Sequence, residues 1–292
     1  MDLRLGLLCA ILWVSASCLA IGMPCPFTRE LNAASNETGP DVFLCKSLLR
    51  RSTFVPSFCV ACPYDEETAR AIKAFQAHYA LEEDGIFGPE TAEILLKYNL
   101  ADHYQNNGTK PPPGFKYKVV VPVHRSNRSI EMKASLYDEN GDLKYTFLTH
   151  THGQNNADGT ALNEICGDGS TPTGLSTFDL NSPEDDPKDF GPYPVNRAVE
   201  GLEGNAGLVL SNIRNGILLH TGEWANWNPS MEMPNSHGCI HAHPEAIKSV
   251  WQILVALGVH VRPNPYGKLP YPYQPQGVLS VYAVDDVVLV DA

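Results

Sequence analysis

Residues 220–241, HTGEWANWNPSMEMPNSHGCIH, decide how this chain reads. His220 follows the apolar run Ile217-Leu218-Leu219, the pattern of a buried strand ending on a polar residue. Sixteen positions later comes Ser236-His237-Gly238-Cys239, with His241 two residues beyond the cysteine. A cysteine attacks carbonyl carbon as its thiolate, and a free thiol with a pKa of about 8.5 is mostly protonated at neutral pH. An imidazole within reach corrects this by taking the proton. The stretch therefore points to acyl transfer through a cysteine thioester. A zinc hydrolase is the alternative. His237, Cys239 and His241 are spaced by two, so on a strand they share one face, and His220 with His237 and Cys239 would make a metal trio.

Outward from this stretch the chain divides in two. Gly207–Asn212 and Gly216–His220 read as strands. Glu245–Leu257 reads as a helix, with Ile247, Val250, Trp251, Leu254 and Leu257 on one face. Gly258 ends it, and Val259-His260-Val261 reads as a closing strand. Upstream, Lys118–Val121 and Ile130–Leu136 are strand-like. Asn140-Gly141 predicts a two-residue hairpin turn with positive φ at both positions, before a returning strand at Tyr145, Phe147 and Leu148. Residues 115–263 are thus expected to form a mainly antiparallel β domain with a packed helix. Residues 105–114, QNNGTKPPPG, read as a semi-stiff spacer.

Residues 41–104 carry a helical period instead. Asp65 is placed to cap a helix whose stripe is Ile72, Phe75 and Tyr79. Asp84-Gly85 makes a turn, Pro89 suits a first helical position, and Ile94, Leu95 and Tyr98 continue a second helix. Val42, Leu44, Leu48 and Leu49 supply a third. The expectation is a small three-helix bundle.

Both halves resemble known families. Ala74-Phe75-Gln76 followed by Asp84-Gly85-Ile86-Phe87-Gly88-Pro89-Glu90-Thr91 resembles the peptidoglycan-binding domain appended to bacterial wall enzymes. His220-Thr221-Gly222 with Ser236-His237-Gly238-Cys239-Ile240 resembles the L,D-transpeptidase (YkuD) family. So does Ser170-Thr171-Pro172-Thr173-Gly174 through Phe178, which is similar to that family's TPxGxF element, and Gly153 falls where the family has a glycine. The resemblance implies a multidomain chain whose second part is a YkuD-like β-sandwich. It also implies Cys239 as nucleophile and His220 as general base. His237 and the Gly238 and Cys239 amides would stabilise the oxyanion, and Thr221 or Ser236 would orient an imidazole. Gly238 leaves room for a carbonyl. Thr221 and His241 are placed as substrate-binding residues. No cofactor or resident metal is implied. The partner would be bacterial peptidoglycan or its muropeptides, cut between a meso-diaminopimelate L-centre and D-alanine, the acyl group passing to an amine or to water.

Two features depart from the family. His241 stands where many bacterial members have arginine, which would make a substrate-carboxylate anchor weaker or pH-dependent. The inserts at 154–168 and 181–189 are expected to reshape the entrance.

The remaining features concern export. Residues 1–20 read as a cleaved secretory signal, with Arg4 before an apolar core from Leu5 to Val14. No later stretch is apolar and long enough to span a bilayer, so the expectation is a secreted, extracellular protein without a membrane anchor. Asn36, Asn107 and Asn127 head glycosylation sequons, which if used imply a eukaryotic host. Such a host has no peptidoglycan of its own. Of eight cysteines, Cys9 and Cys18 fall in the signal. Cys25, Cys45, Cys59 and Cys62 suggest two local disulfides in one of three pairings. Cys166 and Cys239 are left over. Bridged together they would disarm the nucleophile, giving the other alternative, a non-catalytic wall-recognition protein. A net charge of −12 disfavours nucleic acid and anionic membrane as partners. Residues 264–292 read as a Pro/Tyr-rich extension whose strand-like end, Val278–Val290, joins an edge or stays separate.

Overall fold

The computed structural model describes residues 22–52, 59–210, 213–263 and 270–285. The expected signal segment lies outside the described residues, as do parts of the 52–63 loop and of the tail. Three helices form the first module: α1 (Pro40–Leu49), α2 (Glu66–His78) and α3 (Pro89–Asn99). Asp65 caps α2, its carboxylate accepting the Thr68 amide at 2.9 Å. Pro40 and Pro89 open α1 and α3, where a missing N–H costs nothing. Gln76 holds the turn between α2 and α3. Its amide donates to Asp84 Oδ1 (2.8 Å), Ile86 O (3.0 Å) and Thr91 Oγ1 (3.1 Å), and its oxygen accepts the Gly85 amide (2.9 Å). A buried amide satisfied at both ends fixes a turn that periodicity alone does not. The module starts earlier than residue 41, because Phe27 and Leu31 are buried in the same core as Ile72, Phe75 and Leu95.

The second module is a closed barrel rather than a sandwich. Its strands are β1 (Tyr117–His124), β2 (Met132–Asp138), β3 (Leu143–His150), β4 (Gly174–Asn181), β5 (Val195–Glu203), β6 (Leu218–His220), β7 (Ile240–Ala242) and β8 (Gly277–Val284). Their order around the barrel is β1-β2-β3-β7-β6-β5-β4-β8. The tail closes it. β8 pairs parallel with β1 along eight residues and antiparallel with β4, so residues 277–284 are integral to the barrel and remove the edges that an open sheet would leave. Val119, Val121, Phe178, Leu219, Ile240 and Leu279 fill the core. Helix α6 (Pro244–Ala256) adds Ile247, Val250 and Leu254.

Three local expectations are corrected. Residues 204–209 form a short helix, α5, between β5 and β6, not a strand; Ser211 and Asn212 lie outside the described residues. A short apolar run does not by its period distinguish the two. Here Gly201 lets the backbone close in, since a Cβ there would stand 1.9 Å from Ala206 O. The β2–β3 turn has positive φ at Gly141 (87°) and not at Asn140. It is a longer turn with a register shift at Leu136/Tyr137, tied by Asp138 Oδ1 to the Asn140 and Asp142 amides. Residues 259–261 are no strand; only a single bridge joins Arg262 to Asn181. The short helix α4 (Pro187–Phe190), between β4 and β5, completes the described α-helices.

The modules are packed together. Ile165 and Val209 from the barrel side are fully buried in the helical core. Asp102 Oδ2 accepts from the Asn205 amide (2.7 Å) and Thr173 Oγ1 (2.8 Å). The 105–114 segment is held too: Asn106 Oδ1 accepts from Ser280 Oγ, and Lys118 Nζ donates to Asn107 Oδ1 and Gly108 O. Cys25 is disulfide-bonded to Cys166, not to a neighbour in its own module, and Cys59 pairs with Cys62. Cys45 is free and buried. Among the described residues no helix is long and apolar enough to cross a membrane.

Candidate active site

Strands β6 and β7 run parallel in register, Leu219 beside Ile240 and His220 beside His241; β3 places His150 on the other side of His241. Three neighbouring strands thus align His220, His241 and His150. The His220 and His241 rings meet edge to face at 4.7 Å. Cys239 immediately precedes β7. Its sulfur accepts the Leu218 amide at 3.4 Å and donates to Gly216 O at 3.4 Å. It is unpaired and partly exposed, so it does not bridge to Cys166.

Burial sets the electrostatics. It pushes the Cys239 thiol up, while the Leu218 amide and the Arg214 and Arg197 charges pull it back. It drops His220 to about 4 and His241 to about 3. Both imidazoles are neutral at physiological pH. His220 Nδ1 lies 2.7 Å from Thr221 O. A carbonyl only accepts, so Nδ1 carries the proton and Nε2 holds the lone pair. The Thr221 main-chain oxygen holds the ring, and among the described residues its buried hydroxyl has no hydrogen-bond partner. Phe190, delivered by the acidic 181–189 loop, packs against the His220 ring at 5.1 Å.

The 236–239 turn is held from three sides. Ser236 Oγ donates toward Cys239 O (2.8 Å) and His152 O (3.2 Å) and accepts the Gly238 amide (2.8 Å). Ser236 shapes the turn and orients no imidazole, and the Gly238 amide is engaged rather than open to a substrate oxygen. Thr171, from the TPTG element, donates to Gly238 O at 3.0 Å. Arg214, which the sequence did not mark, is buried beneath the turn, donating to Glu164 O, Ser170 O, Gly169 O and His237 O at 2.8–3.1 Å. Gly238 has φ +100°, and a Cβ there would stand 1.5 Å from the guanidinium.

A cleft of about 550 Å³ opens over these groups, lined by Cys239, His220, His241, Arg214, Trp224 and Asn235 among others. Asp168 and Asp189, from the two inserts, also line it. His237 is exposed, with Nδ1 3.1 Å from Asp168 Oδ1. His241 is buried, with Nδ1 against Pro234 O (2.8 Å) and its ring 4.7 Å from Trp224. A neutral ring held in this way is no charged anchor for a carboxylate. Among the described residues no three His, Cys, Asp or Glu side chains are arranged to hold a metal ion, so His220, His237 and Cys239 do not form the trio that the zinc alternative needs.

Residues 38–95 match a peptidoglycan binding domain family, and residues 95–262 match the L,D-transpeptidase catalytic domain, YkuD. A search among curated proteins returns no match. Similar solved structures include an L,D-transpeptidase from Xylanimonas cellulosilytica, with 16% identity over 88% of this chain and 99% of that one, at a TM-score of 0.27. An L,D-transpeptidase from Stackebrandtia nassauensis shows 13% identity over 84% and 92%, at 0.28. A fused Zn-dependent amidase/peptidase/peptidoglycan-binding domain-containing protein from Clostridium acetobutylicum shows 14% identity over 87% and 99%, at 0.27. These superpositions are loose, and family membership rests on the sequence match. That match spans more than half of the chain, and the chain belongs to the L,D-transpeptidase (YkuD) catalytic domain family.

Proposed function

We propose that this protein is a secreted cysteine acyltransferase acting on the peptide stems of bacterial peptidoglycan. The observation that carries the reading is the parallel β6–β7 pair. It sets the Cys239 thiol against β6 in a cleft shared with His220, whose Nδ1 proton is held by Thr221 O, leaving Nε2 as the basic nitrogen. His220 Nε2 takes the thiol proton as Sγ attacks the stem carbonyl. The tetrahedral oxyanion is met by the Cys239 amide and the His237 side chain, donors worth a few kcal/mol when preorganised. Collapse breaks the C–N bond, the leaving D-amino acid takes the proton from His220, and a thioester remains. An amine of a second stem, or water, then attacks the thioester, giving a cross-link or a trimmed stem.

Cys239 and His220 rest as neutral thiol and neutral imidazole, because burial disfavours both charges. Proton transfer therefore belongs to the substrate-bound state. The helical module supports a wall polymer as substrate through its family match. Export is supported by the N-terminal sequence and by sequons whose Asn36, Asn107 and Asn127 all sit in exposed loops. In a eukaryotic host the polymer would be foreign, and hydrolysis or trimming would serve better than cross-linking.

The test is incubation with disaccharide-tetrapeptide muropeptides. D-alanine release with a 3→3 cross-link marks a transpeptidase, and release alone marks a carboxypeptidase. Binding to sacculi with neither product would replace catalysis by recognition.

A further inference from the structure

Arg214 has an environment that packing alone does not explain. Its side chain is buried, and its four hydrogen bonds all end on main-chain carbonyls: Glu164, Ser170, Gly169 and His237. Among the described residues no carboxylate lies within ion-pair distance of it. The acids nearest in effect are engaged elsewhere. The Glu164 carboxylate accepts from Arg128, from the Thr173 amide and hydroxyl, and from Asn205, and Asp168 is exposed beside His237. The other cation acting on Cys239, Arg197, is ion-paired with Glu184. A buried guanidinium ringed by neutral acceptors keeps an unbalanced charge, and burial lowers it to about 10. One group beside it can become an anion during the reaction: the Cys239 thiol, on the turn whose Gly238 has no room for a side chain above the guanidinium.

We propose that Arg214 is a positioning residue that clamps the 236–239 turn from beneath and supplies the counter-charge for the Cys239 thiolate. This rests on the thiol reading above. The geometry has two parts. Nη2 ties Gly169 O to His237 O, so the TPTG side of the cleft and the nucleophile turn move as one body. The charge lowers the cost of ionising the thiol, a preorganised field that needs no rearrangement when the proton leaves. A structural clamp would need only the first part. The counter-charge role needs the second.

The experiment is the pH dependence of Cys239 alkylation by iodoacetamide in the full-length protein without reductant. It is read peptide by peptide to separate Cys239 from the buried Cys45, with melting curves alongside. Arg214→Met is expected to raise the alkylation midpoint by at least one pH unit, tenfold slower reaction at any pH below it. Arg214→Lys, which keeps the charge, is expected to stay within half a unit. An unmoved midpoint in Arg214→Met, or equal shifts in both variants, would overturn the proposal. If Arg214→Met does not fold, Arg214→Lys decides. A folded lysine variant with a midpoint raised by more than a unit refutes the charge role, and an unmoved midpoint supports it. Alkylation needs no peptide stem. A wild-type protein that turns over no muropeptide yet shows these shifts would sink the substrate reading and leave Arg214 in place.

Discussion

Replacing Gly238 by alanine tests how tightly the nucleophile turn is built. The new Cβ would stand 1.5 Å from Arg214 Nη2 and 2.7 Å from both Arg214 Cζ and Gly169 O. Carbonyl Gly169 O belongs to a backbone that the Thr171–Gly238 bond holds close, so the guanidinium must yield. Moving it breaks its bonds to Gly169 O and His237 O, each worth about 1.5–3 kcal/mol for a charged donor. Alanine at φ +100° adds about 1–2 kcal/mol of backbone strain. The loss is expected to be about 4 kcal/mol or more, a large part of the 5–15 kcal/mol typical of a whole domain. At about 2–4 °C per kcal/mol for a module of this size, melting should fall by roughly 10 °C or more. Differential scanning calorimetry measures this, with site-resolved alkylation of Cys239 beside it. An alanine variant that melts within 2–3 °C (about 1 kcal/mol) of wild type and keeps its alkylation profile would refute the packing account of this turn.

Three further outcomes follow from the structure. His220 and His241 are held neutral in the fold, with values lowered to about 4 and about 3. The unfolded chain binds their protons first, so their contribution is present above about pH 6.5 and is lost as pH falls toward 4. For His220 this is about 3 kcal/mol. Urea midpoints at pH 7 and pH 4.5 should diverge in wild type and converge in a His220→Gln/His241→Gln variant, and equal divergence in both would exclude this cause. The Cys25–Cys166 bridge closes a loop across a separation of 141 residues. Removing it as Cys25→Ser/Cys166→Ser should destabilise by about 5 kcal/mol on the chain-entropy model, read as a lower melting temperature; an unchanged melt would show that the bridge constrains nothing. Gln76→Leu removes four hydrogen bonds from the α2–α3 turn and strands the Gly85 amide, which should cost about 2–3 kcal/mol and weaken binding to sacculi. Unchanged binding would place the wall-contacting surface elsewhere.

The residues of the proposed site were easier to gather from the sequence than the architecture around them. His220, Cys239 and the TPTG element stand out because a strand-end histidine and a cysteine among small polar residues are local patterns; one parallel strand pair brings His220 near Cys239, and the Thr171–Gly238 bond brings in the TPTG element. The helical module was legible because caps, a stripe and a Gly-Pro-bounded turn all lie close in sequence. Closure of the barrel was not. β8 pairs with β1 across about 160 residues, and no local period announces a partner that far away. The Cys25–Cys166 pairing was hidden for the same reason, because local crowding of cysteines suggested local bridges. Arg214 stood between apolar runs as a single charge, which is a visible oddity, but its four carbonyl partners come from segments 23 to 50 residues away. His150 sat in a His-x-His pair at a strand end, yet its place beside His241 depends on register between β3 and β7. Contacts within the motif also differ from the expectation: the Thr221 carbonyl meets the His220 ring, Ser236 bonds within its own turn, and His241 is a buried neutral ring.

In the proposed reaction Cys239 carries the acyl group. The most direct measurement is intact-protein mass spectrometry after rapid quench with a tetrapeptide muropeptide, followed by peptide mapping. The expected result is an adduct equal in mass to the muropeptide without its D-alanine, mapped to Cys239 and absent in Cys239→Ala. D-Alanine release that persists in Cys239→Ala, with no adduct on the wild-type cysteine, would contradict it.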